Sequence, residues 1–219
     1  MNHRADRWSG IVLIAAPLLS VFAMSHHPTV GPGGPAERMA EIVHEAPLTT
    51  AVHGGLMALM VAILLALAAA AARLGWSHAR VRSGAVLYSL GVLCMVGAAT
   101  VSGFVVPDLA AGLVDAPATT LEAATPAFAL AHAVNQALAR IGEVAMSAGI
   151  ALASLVMLGR SRLERGLGGF GLLVGLVPIL GLLAGSLQLD VHGMLLVLAG
   201  QSLWTLGVGI WLLAAPRTA

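Results

Sequence analysis

Six long apolar runs constrain the fold of this chain more than any other feature of its sequence. A chain of 219 residues that is 58% hydrophobic and only 10% charged cannot bury so much apolar surface in one soluble core. About 20 apolar residues are needed to cross about 30 Å of hydrocarbon, and most of the runs approach or exceed that length. The sequence therefore predicts an all-α integral membrane protein, a single six-helix transmembrane domain with helices at about 9–24, 49–72, 83–106, 127–158, 168–186 and 191–214.

The first apolar run is the shortest, and a cleaved signal peptide is the alternative reading of it. The segment that ends this run, Ser25-His26-His27-Pro28, does not have the small residues of a good cleavage site. An even number of spans also leaves a consistent charge pattern. We therefore expect the first run to remain as a membrane-spanning helix.

The arginines predict the orientation of the helices, because the chain contains no lysine. Arginine-rich segments alternate along the chain with segments that hold only Arg38, and arginine-rich ends face the cytoplasm. Both termini are therefore expected on the cytoplasmic side, in a multi-pass protein of the bacterial inner membrane. The net charge is only +1, and no basic patch with interleaved aromatic residues predicts a nucleic-acid partner. The arginine-rich segments contain Arg4, Arg7, Arg73, Arg80, Arg82, Arg160, Arg162, Arg165 and Arg217.

The first outer loop is expected to contain a short helix that lies on the membrane surface. The turn-rich stretch at 31–35, Gly-Pro-Gly-Gly-Pro, is followed by helical spacing from Ala36 to Ala46. Glu41 and His44 are three residues apart and share one face of this helix. The same spacing occurs in dinuclear carboxylate sites, but those require further glutamates from the bundle, which are scarce here. A solvated face is the favoured interpretation, and His44 is kept as a candidate metal ligand.

Six of the eight histidines fall on the predicted outer side, and three of them lie in the first turns of separate apolar helices. These three are His53, His132 and His192, and each has a small residue beside it that allows close approach of a helix or a flat ligand. His26 and His27 can approach from the outer end of the first helix. Imidazoles held at one depth on separate helices are what a haem or metal site requires. The alternative for each histidine alone is an interfacial residue hydrogen-bonded to a carbonyl group or to water.

The surroundings of these histidines favour a b-type haem, with copper or zinc as the alternatives. A haem needs two histidines across a bundle and an apolar slot lined by small residues, which this glycine- and alanine-rich chain can supply. Zinc accepts three histidines and a water molecule. Copper also favours thioether sulfur, and Met57 and Met60 share a helix face with His53.

The segment Ala51-Val52-His53-Gly54-Gly55-Leu56-Met57 carries a local resemblance to a known family. It resembles the His-Gly-x-x-Met segment of the catalytic subunits of haem-copper oxidases, in which the histidine binds a haem near the outer face. The resemblance covers about seven residues, and the chain lacks that family's histidine-rich sixth-helix motif. It implies that His53 is an axial haem ligand, and it implies no oxygen chemistry.

The fourth predicted helix carries a polar stripe that reaches toward the centre of the bilayer. At 100° per residue, the residues of the stripe fall on one helix face. We expect Arg140 and Glu143 to form an internal ion pair that faces the bundle. The functional alternative is that Arg140 binds an anionic group, such as a haem propionate or a quinone oxygen, while Glu143 relays protons. The stripe comprises His132, Gln136, Arg140, Glu143 and Ser147, of which Gln136, Arg140 and Glu143 form the candidate proton or solute path.

Two functions from different classes follow from these patterns. The first is a membrane haem- or metal-binding redox protein, an oxidoreductase or electron-transfer protein whose partners are the lipid bilayer and a redox protein or quinone. The second is a small transporter or channel-like protein with its polar path along the fourth helix. A membrane assembly subunit without a site of its own is a third alternative, and glycine-rich helix faces permit a homo-oligomer. No nucleophile and base pair or phosphate-binding loop is visible.

Overall fold

The structure is a computed structural model that describes residues 3–29, 31 and 33–214. Within this part of the chain every regular element is helical, and there is no strand. The elements are α1 (His3–Ser25), α2 (Pro35–Leu74), α3 (Ala79–Thr100), a π-helical segment (Val101–Val105), α4 (Val106–Ala111), α5 (Ala118–Met157), α6 (Arg162–Leu183) and α7 (Val191–Ala214). Helix α5 corresponds to the fourth predicted span and α7 to the sixth.

The described residues contain six helical stretches that are long and apolar enough to cross a membrane. This confirms the prediction of an all-helical chain with six candidate spans. The stretches are Asp6–Ser25, Pro35–Leu74, Ala79–Ala111, Ala118–Met157, Arg162–Leu183 and Val191–Ala214. We call the end of the bundle at which α1 ends and α7 begins the outer end, following the orientation that the arginines predict.

The predicted surface helix in the first outer loop is not a separate element. Ala36 to Ala46 is helical, but it is continuous with the span that follows, so that α2 runs through Pro47. Helix α5 likewise begins before its predicted start and continues through Pro126. In each case the predicted span follows the apolar run, which begins just after the proline, although a proline usually ends or kinks a helix. At 1.5 Å per residue, each of these 40-residue helices is about 60 Å long, twice the hydrocarbon thickness.

Glycines bring the backbones of α3 and α5 into direct contact. A Cβ atom placed on Gly149 would lie 2.7 Å from the Gly84 carbonyl oxygen, and one placed on Gly91 would lie 2.6 Å from the Gly142 carbonyl oxygen. Helix α6 packs on α5 in the same way, through Gly175 among others, whose Cβ would lie 2.7 Å from the Ser147 carbonyl oxygen. Small residues of this kind are typical of helix interfaces in membranes.

Arginines close the inner end of the bundle. The Arg160 guanidinium donates a hydrogen bond of 2.7 Å to the Leu74 carbonyl oxygen at the end of α2. The guanidinium carbon of Arg73 lies 4.5 Å from the ring centroid of Trp211, a cation–π contact between α2 and α7. Arg160 also pairs with Glu164, at 3.6 Å. These contacts tie together the ends of α2, α5, α6 and α7 opposite the outer end.

Cysteine labelling tests the predicted orientation. In a background in which the single cysteine, Cys94, is replaced by serine, a cysteine at Ala118 is expected to react with a membrane-impermeant thiol reagent added outside. Cysteines at His78 and Arg162 are expected to react only after the membrane is opened, because they lie beside the arginine-rich segments. All three residues are exposed in the structure, so labelling reports sidedness rather than burial. Labelling of His78→Cys from outside would contradict the orientation.

Candidate functional site

A cavity of about 380 Å³ extends from the outer end of the bundle toward its middle. Helices α1, α2, α3, α5 and α7 all contribute to its wall. Its lining includes Asp190 and Val191 at the start of α7 and Gln201 and Thr205 ten or more residues further along that helix. The volume lies within the range of small-ligand sites, about 300–1,000 Å³. The polar residues of the wall fall into two groups, one near the outer end and one deeper.

The outer group is built on a pair of histidines, His27 and His53. The Nε2 atoms of the two rings are 3.4 Å apart. The ring centroids are 4.9 Å apart, and the ring planes meet at 71°, so that the contact is edge to face. His53 is buried on α2, with 7% of its surface exposed, and His27 follows the end of α1 and is half-buried.

Backbone carbonyl groups determine which nitrogen of each ring carries a proton. His53 Nδ1 lies 2.8 Å from the Thr49 carbonyl oxygen, and His27 Nδ1 lies 2.7 Å from the Pro28 carbonyl oxygen. A carbonyl oxygen only accepts, so each Nδ1 donates its hydrogen. A neutral imidazole has a single N–H, and both Nε2 atoms therefore present lone pairs to one another. A metal ion, a shared proton or a water molecule that donates to both nitrogens would give both lone pairs a partner.

The distance between the two nitrogens matches shared coordination of one metal ion. Two imidazole nitrogens bound to a tetrahedral ion at about 2.0–2.1 Å would lie about 3.3–3.4 Å apart. Histidine ligands also commonly donate their other N–H to a carbonyl group, as both rings do here. A haem does not fit between this pair, because axial imidazoles lie on opposite faces of the macrocycle and these rings are in contact. Haem binding would require a different pairing of the histidines.

The π-helical segment places its backbone against His53. A Cβ atom at Gly103 would collide with the Cβ and Cγ atoms of His53, so only glycine leaves room for the ring. The Thr50 hydroxyl donates a hydrogen bond of 2.9 Å to the Gly103 carbonyl oxygen and fixes this contact. On the other side of the segment, the Asn135 amide of α5 donates a hydrogen bond of 2.6 Å to the Ser102 hydroxyl. The segment therefore connects the histidine pair on one side with α5 on the other, and π-helical turns are frequent at functional sites.

The deeper group is centred on Glu143, which is 3% exposed. One carboxylate oxygen, Oε1, accepts hydrogen bonds from the Ser147 hydroxyl at 2.7 Å and from the Gln201 amide at 2.5 Å. The Gln201 amide also donates to Ser147 Oγ at 3.1 Å. Glu143 lies eight residues further along α5 than Asn135, which is about 12 Å at the helical rise. A carboxylate thus lies deep in the apolar bundle, held by neutral groups of α5 and α7.

The predicted Arg140–Glu143 ion pair is not formed. Arg140 lies on the exposed side of α5, whereas Glu143 faces the interior. Three residues advance a helix by about 300°, so that the two side chains point in directions about 60° apart. This angle is enough for Glu143 to face the bundle while Arg140 faces outward. Gln136, the other member of the predicted path, does line the cavity and donates a hydrogen bond of 3.4 Å to the Leu189 carbonyl oxygen.

The structure does not bring the three predicted histidines together in the cavity. His53 lines it, but His132 and His192 are exposed and do not. His26 is exposed, and its Nδ1 lies 2.9 Å from the Phe22 carbonyl oxygen. His44 is exposed on the outer part of α2.

Several cavity residues, Gln201 and Met24 among them, were not predicted from the sequence. A glutamine in the middle of an apolar helix signals a polar partner across the bundle. A methionine in a bilayer is usually a core residue, so that the sequence gives no signal for Met24. Glu41 has a role that the sequence did not predict. Its carboxylate accepts a hydrogen bond of 2.9 Å from the Gly31 amide, which connects the outer loop to α2.

Within residues 3–29, 31 and 33–214, no three side chains of His, Cys, Asp or Glu are grouped closely enough to hold a metal ion. Comparison with known proteins found no matching family model, no similar curated protein and no similar solved structure. The class that the fold defines is a helical protein with six candidate membrane spans, and its function must be argued from the cavity.

Proposed function

We propose that this chain is a multi-pass membrane protein that binds a transition-metal ion at its outer face, with His27 and His53 as ligands. The observation that carries the proposal is the 3.4 Å separation of the two Nε2 atoms, while both Nδ1 atoms lie within hydrogen-bond distance of carbonyl oxygens. This arrangement leaves two good metal ligands without a partner of their own. It favours a bare ion, copper or zinc, over haem b.

A redox-active ion at this site supports an electron-transfer role. Copper at the outer end of the bundle would exchange electrons with a redox protein or with a quinone in the bilayer. The predicted setting is the inner membrane of a bacterium, with the histidine pair on the outer side. Zinc at the same ligands would support metal capture without electron transfer, because zinc has no redox chemistry.

Metal titration of purified variants tests the proposal. His27→Ala and His53→Ala are each expected to weaken the binding of Cu(I) or Zn(II) by at least about a hundredfold, more than the loss of a group that merely orients a ligand. His26→Ala, His132→Ala and His192→Ala are matched controls, because these imidazoles are exposed and lie outside the cavity. The controls should bind metal as the unmodified protein does. Equal affinity in all five variants, or no binding by the unmodified protein, would overturn the proposal.

The second candidate function is transport of a proton or small solute, and the deep carboxylate favours it. Glu143 lines the same cavity as the histidine pair and lies about 12 Å further in than Asn135. Ionisable groups at such depth usually mark ion or proton pathways, because they are costly in hydrocarbon. In this reading Gln136 and Glu143 line the path, and Arg140 lies outside it.

A further inference from the structure

The histidine pair supplies two ligands, and a metal ion at this site needs at least one more. Structural and catalytic zinc or copper sites in proteins usually have three or four protein ligands. No third histidine, cysteine, aspartate or glutamate is grouped with the pair in the part of the chain that the structure describes. We therefore look for a further ligand of a different class, and among those in the cavity wall thioether sulfur is the one that copper favours.

Thioether sulfur is abundant in the wall of the cavity. Among the described residues, five methionines line it, each on a different helix or turn of the bundle: Met24, Met60, Met95, Met146 and Met194. Most of them are placed away from the histidines. Met95 packs against Gly142 and Met146 against Gly91, both at the crossing of α3 and α5.

Two of the other methionines are also badly placed to reach the pair. Met60 lies seven residues beyond His53 on α2, which is about 10 Å further into the bundle. Met194 packs against Ala98, Ala139 and Leu189, on the α3 and α5 side of the cavity.

Met24 is the cavity methionine that lies nearest to the histidine pair along the chain. It lies three residues before His27, and the His27 amide donates a hydrogen bond of 3.1 Å to the Met24 carbonyl oxygen, so that one turn joins the two residues. Met24 is buried, with 7% of its surface exposed, and it lines the cavity together with both histidines. Helix α1 packs directly on α2, which carries His53.

We propose that Met24 is the third protein ligand, which makes the outer site a two-histidine, one-methionine centre selective for Cu(I). This inference rests on the proposed metal-binding function and specifies its ion. Thioether sulfur is a soft ligand that selects Cu(I), whereas Zn(II) is well served by imidazole nitrogen and water. The unbranched methionine side chain has three rotatable bonds, so that it can adapt its rotamer to a bound ion.

A sulfur-specific readout tests the assignment in the full-length, detergent-purified protein. X-ray absorption of the Cu(I)-loaded protein is expected to show both nitrogen and sulfur scattering around copper. Met24→Leu should remove the sulfur contribution and weaken Cu(I) binding by at least about tenfold. Its Zn(II) affinity should change by less than about threefold, because the imidazoles remain. Leucine conserves the volume of methionine, so that packing is retained, and the retained Zn(II) binding reports an intact site.

Met57→Leu is the matched control. Met57 lies four residues from His53, about as near in sequence as Met24 is to His27, but it does not line the cavity. Its substitution should leave both affinities and the sulfur signal unchanged. A copper shell of nitrogen and oxygen alone, or a sulfur signal that survives in Met24→Leu, would overturn the assignment while leaving the histidine site intact. Absence of Cu(I) and Zn(II) binding by the unmodified protein would overturn the proposed function as well.

Discussion

Replacing Glu143 with alanine is expected to lower the free energy of unfolding by about 1–3 kcal/mol, the cost of leaving a buried donor without its acceptor. The Ser147 hydroxyl loses the Oε1 atom that it binds at 2.7 Å, and the Gln201 amide loses its shorter hydrogen bond. Glu143→Gln keeps an oxygen at this position and removes the ionisable group. It should therefore be more stable than Glu143→Ala, because the Ser147 hydroxyl and the Gln201 amide keep an acceptor. Reversible denaturation in detergent measures both changes.

Double-mutant cycles identify the partner of Glu143. The coupling energy between Glu143 and Gln201 is expected to lie in the range of about 0.5–3 kcal/mol found for residues in contact. Arg140→Gln provides the contrast, because Arg140 is close to Glu143 in sequence but lies on the exposed side of α5. Its coupling to Glu143 should be below about 0.5 kcal/mol. A strong Arg140–Glu143 coupling would contradict the structure and restore the ion pair that the sequence predicts.

Glu143→Gln also tests the second candidate function, the transport of a proton or small solute. If Glu143 carries protons or binds a transported solute, Glu143→Gln in liposomes should lose proton or solute flux while retaining its stability. Flux equal to that of the unmodified protein would remove Glu143 from any pathway. Metal binding at the histidine pair should be unchanged in this variant, because Glu143 lies about 12 Å further along α5 than Asn135, whose partner Ser102 belongs to the segment that contacts His53.

Replacing Gly149 with alanine is expected to destabilise the protein by about 1–3 kcal/mol, the usual cost of overpacking a well-packed interface. The added Cβ would lie 2.7 Å from the Gly84 carbonyl oxygen and 3.0 Å from the Tyr88 amide nitrogen. Both are backbone atoms, so that relief requires α3 and α5 to move apart. Tyr88 also lines the cavity, so that the shape of the cavity should change as well.

Gly169→Ala is the control for this prediction. Gly169 lies within α6, and a Cβ there would meet nothing within 4 Å. Alanine favours helix over glycine by about 0.5–1 kcal/mol, so that this substitution should be neutral or stabilising. A loss of stability equal to that of Gly149→Ala would show that the close contact between α3 and α5 is not the cause.

Hydropathy predicted the six spans because the length and apolar content of a helix are properties of consecutive residues. Helices α2 and α5 begin earlier than predicted, because the apolar runs begin just after Pro47 and Pro126, whereas the structure continues each helix through the proline. A proline costs a helix one hydrogen bond and some strain, and flanking residues that remain helical can outweigh that cost. The sequence alone does not show whether the cost of the proline or the stability of the flanking helix is larger.

The site was harder to predict than the spans, because it depends on how each helix is rotated about its axis. Membrane helices are apolar on all sides, so that their periodicity says little about which face meets the bundle. His53, His132 and His192 look alike in sequence, but only His53 turns into the cavity. The pairing of Glu143 with Gln201 joins residues 58 positions apart and depends on the packing of α5 against α7.

A π-helical turn contains one residue more than the α-helical turn that it replaces. In this chain that extra residue falls within Val101–Val105, where Gly103 contacts His53 and Ser102 contacts Asn135. Loss of one residue at this point would rotate the rest of the helix by about 100°. Such a chain would keep the same apolar stretches and nearly the same composition, but Gly103 would turn away from His53. Segment length at one position, and not side-chain identity alone, then separates chains that can form this histidine pocket from equally apolar chains that cannot.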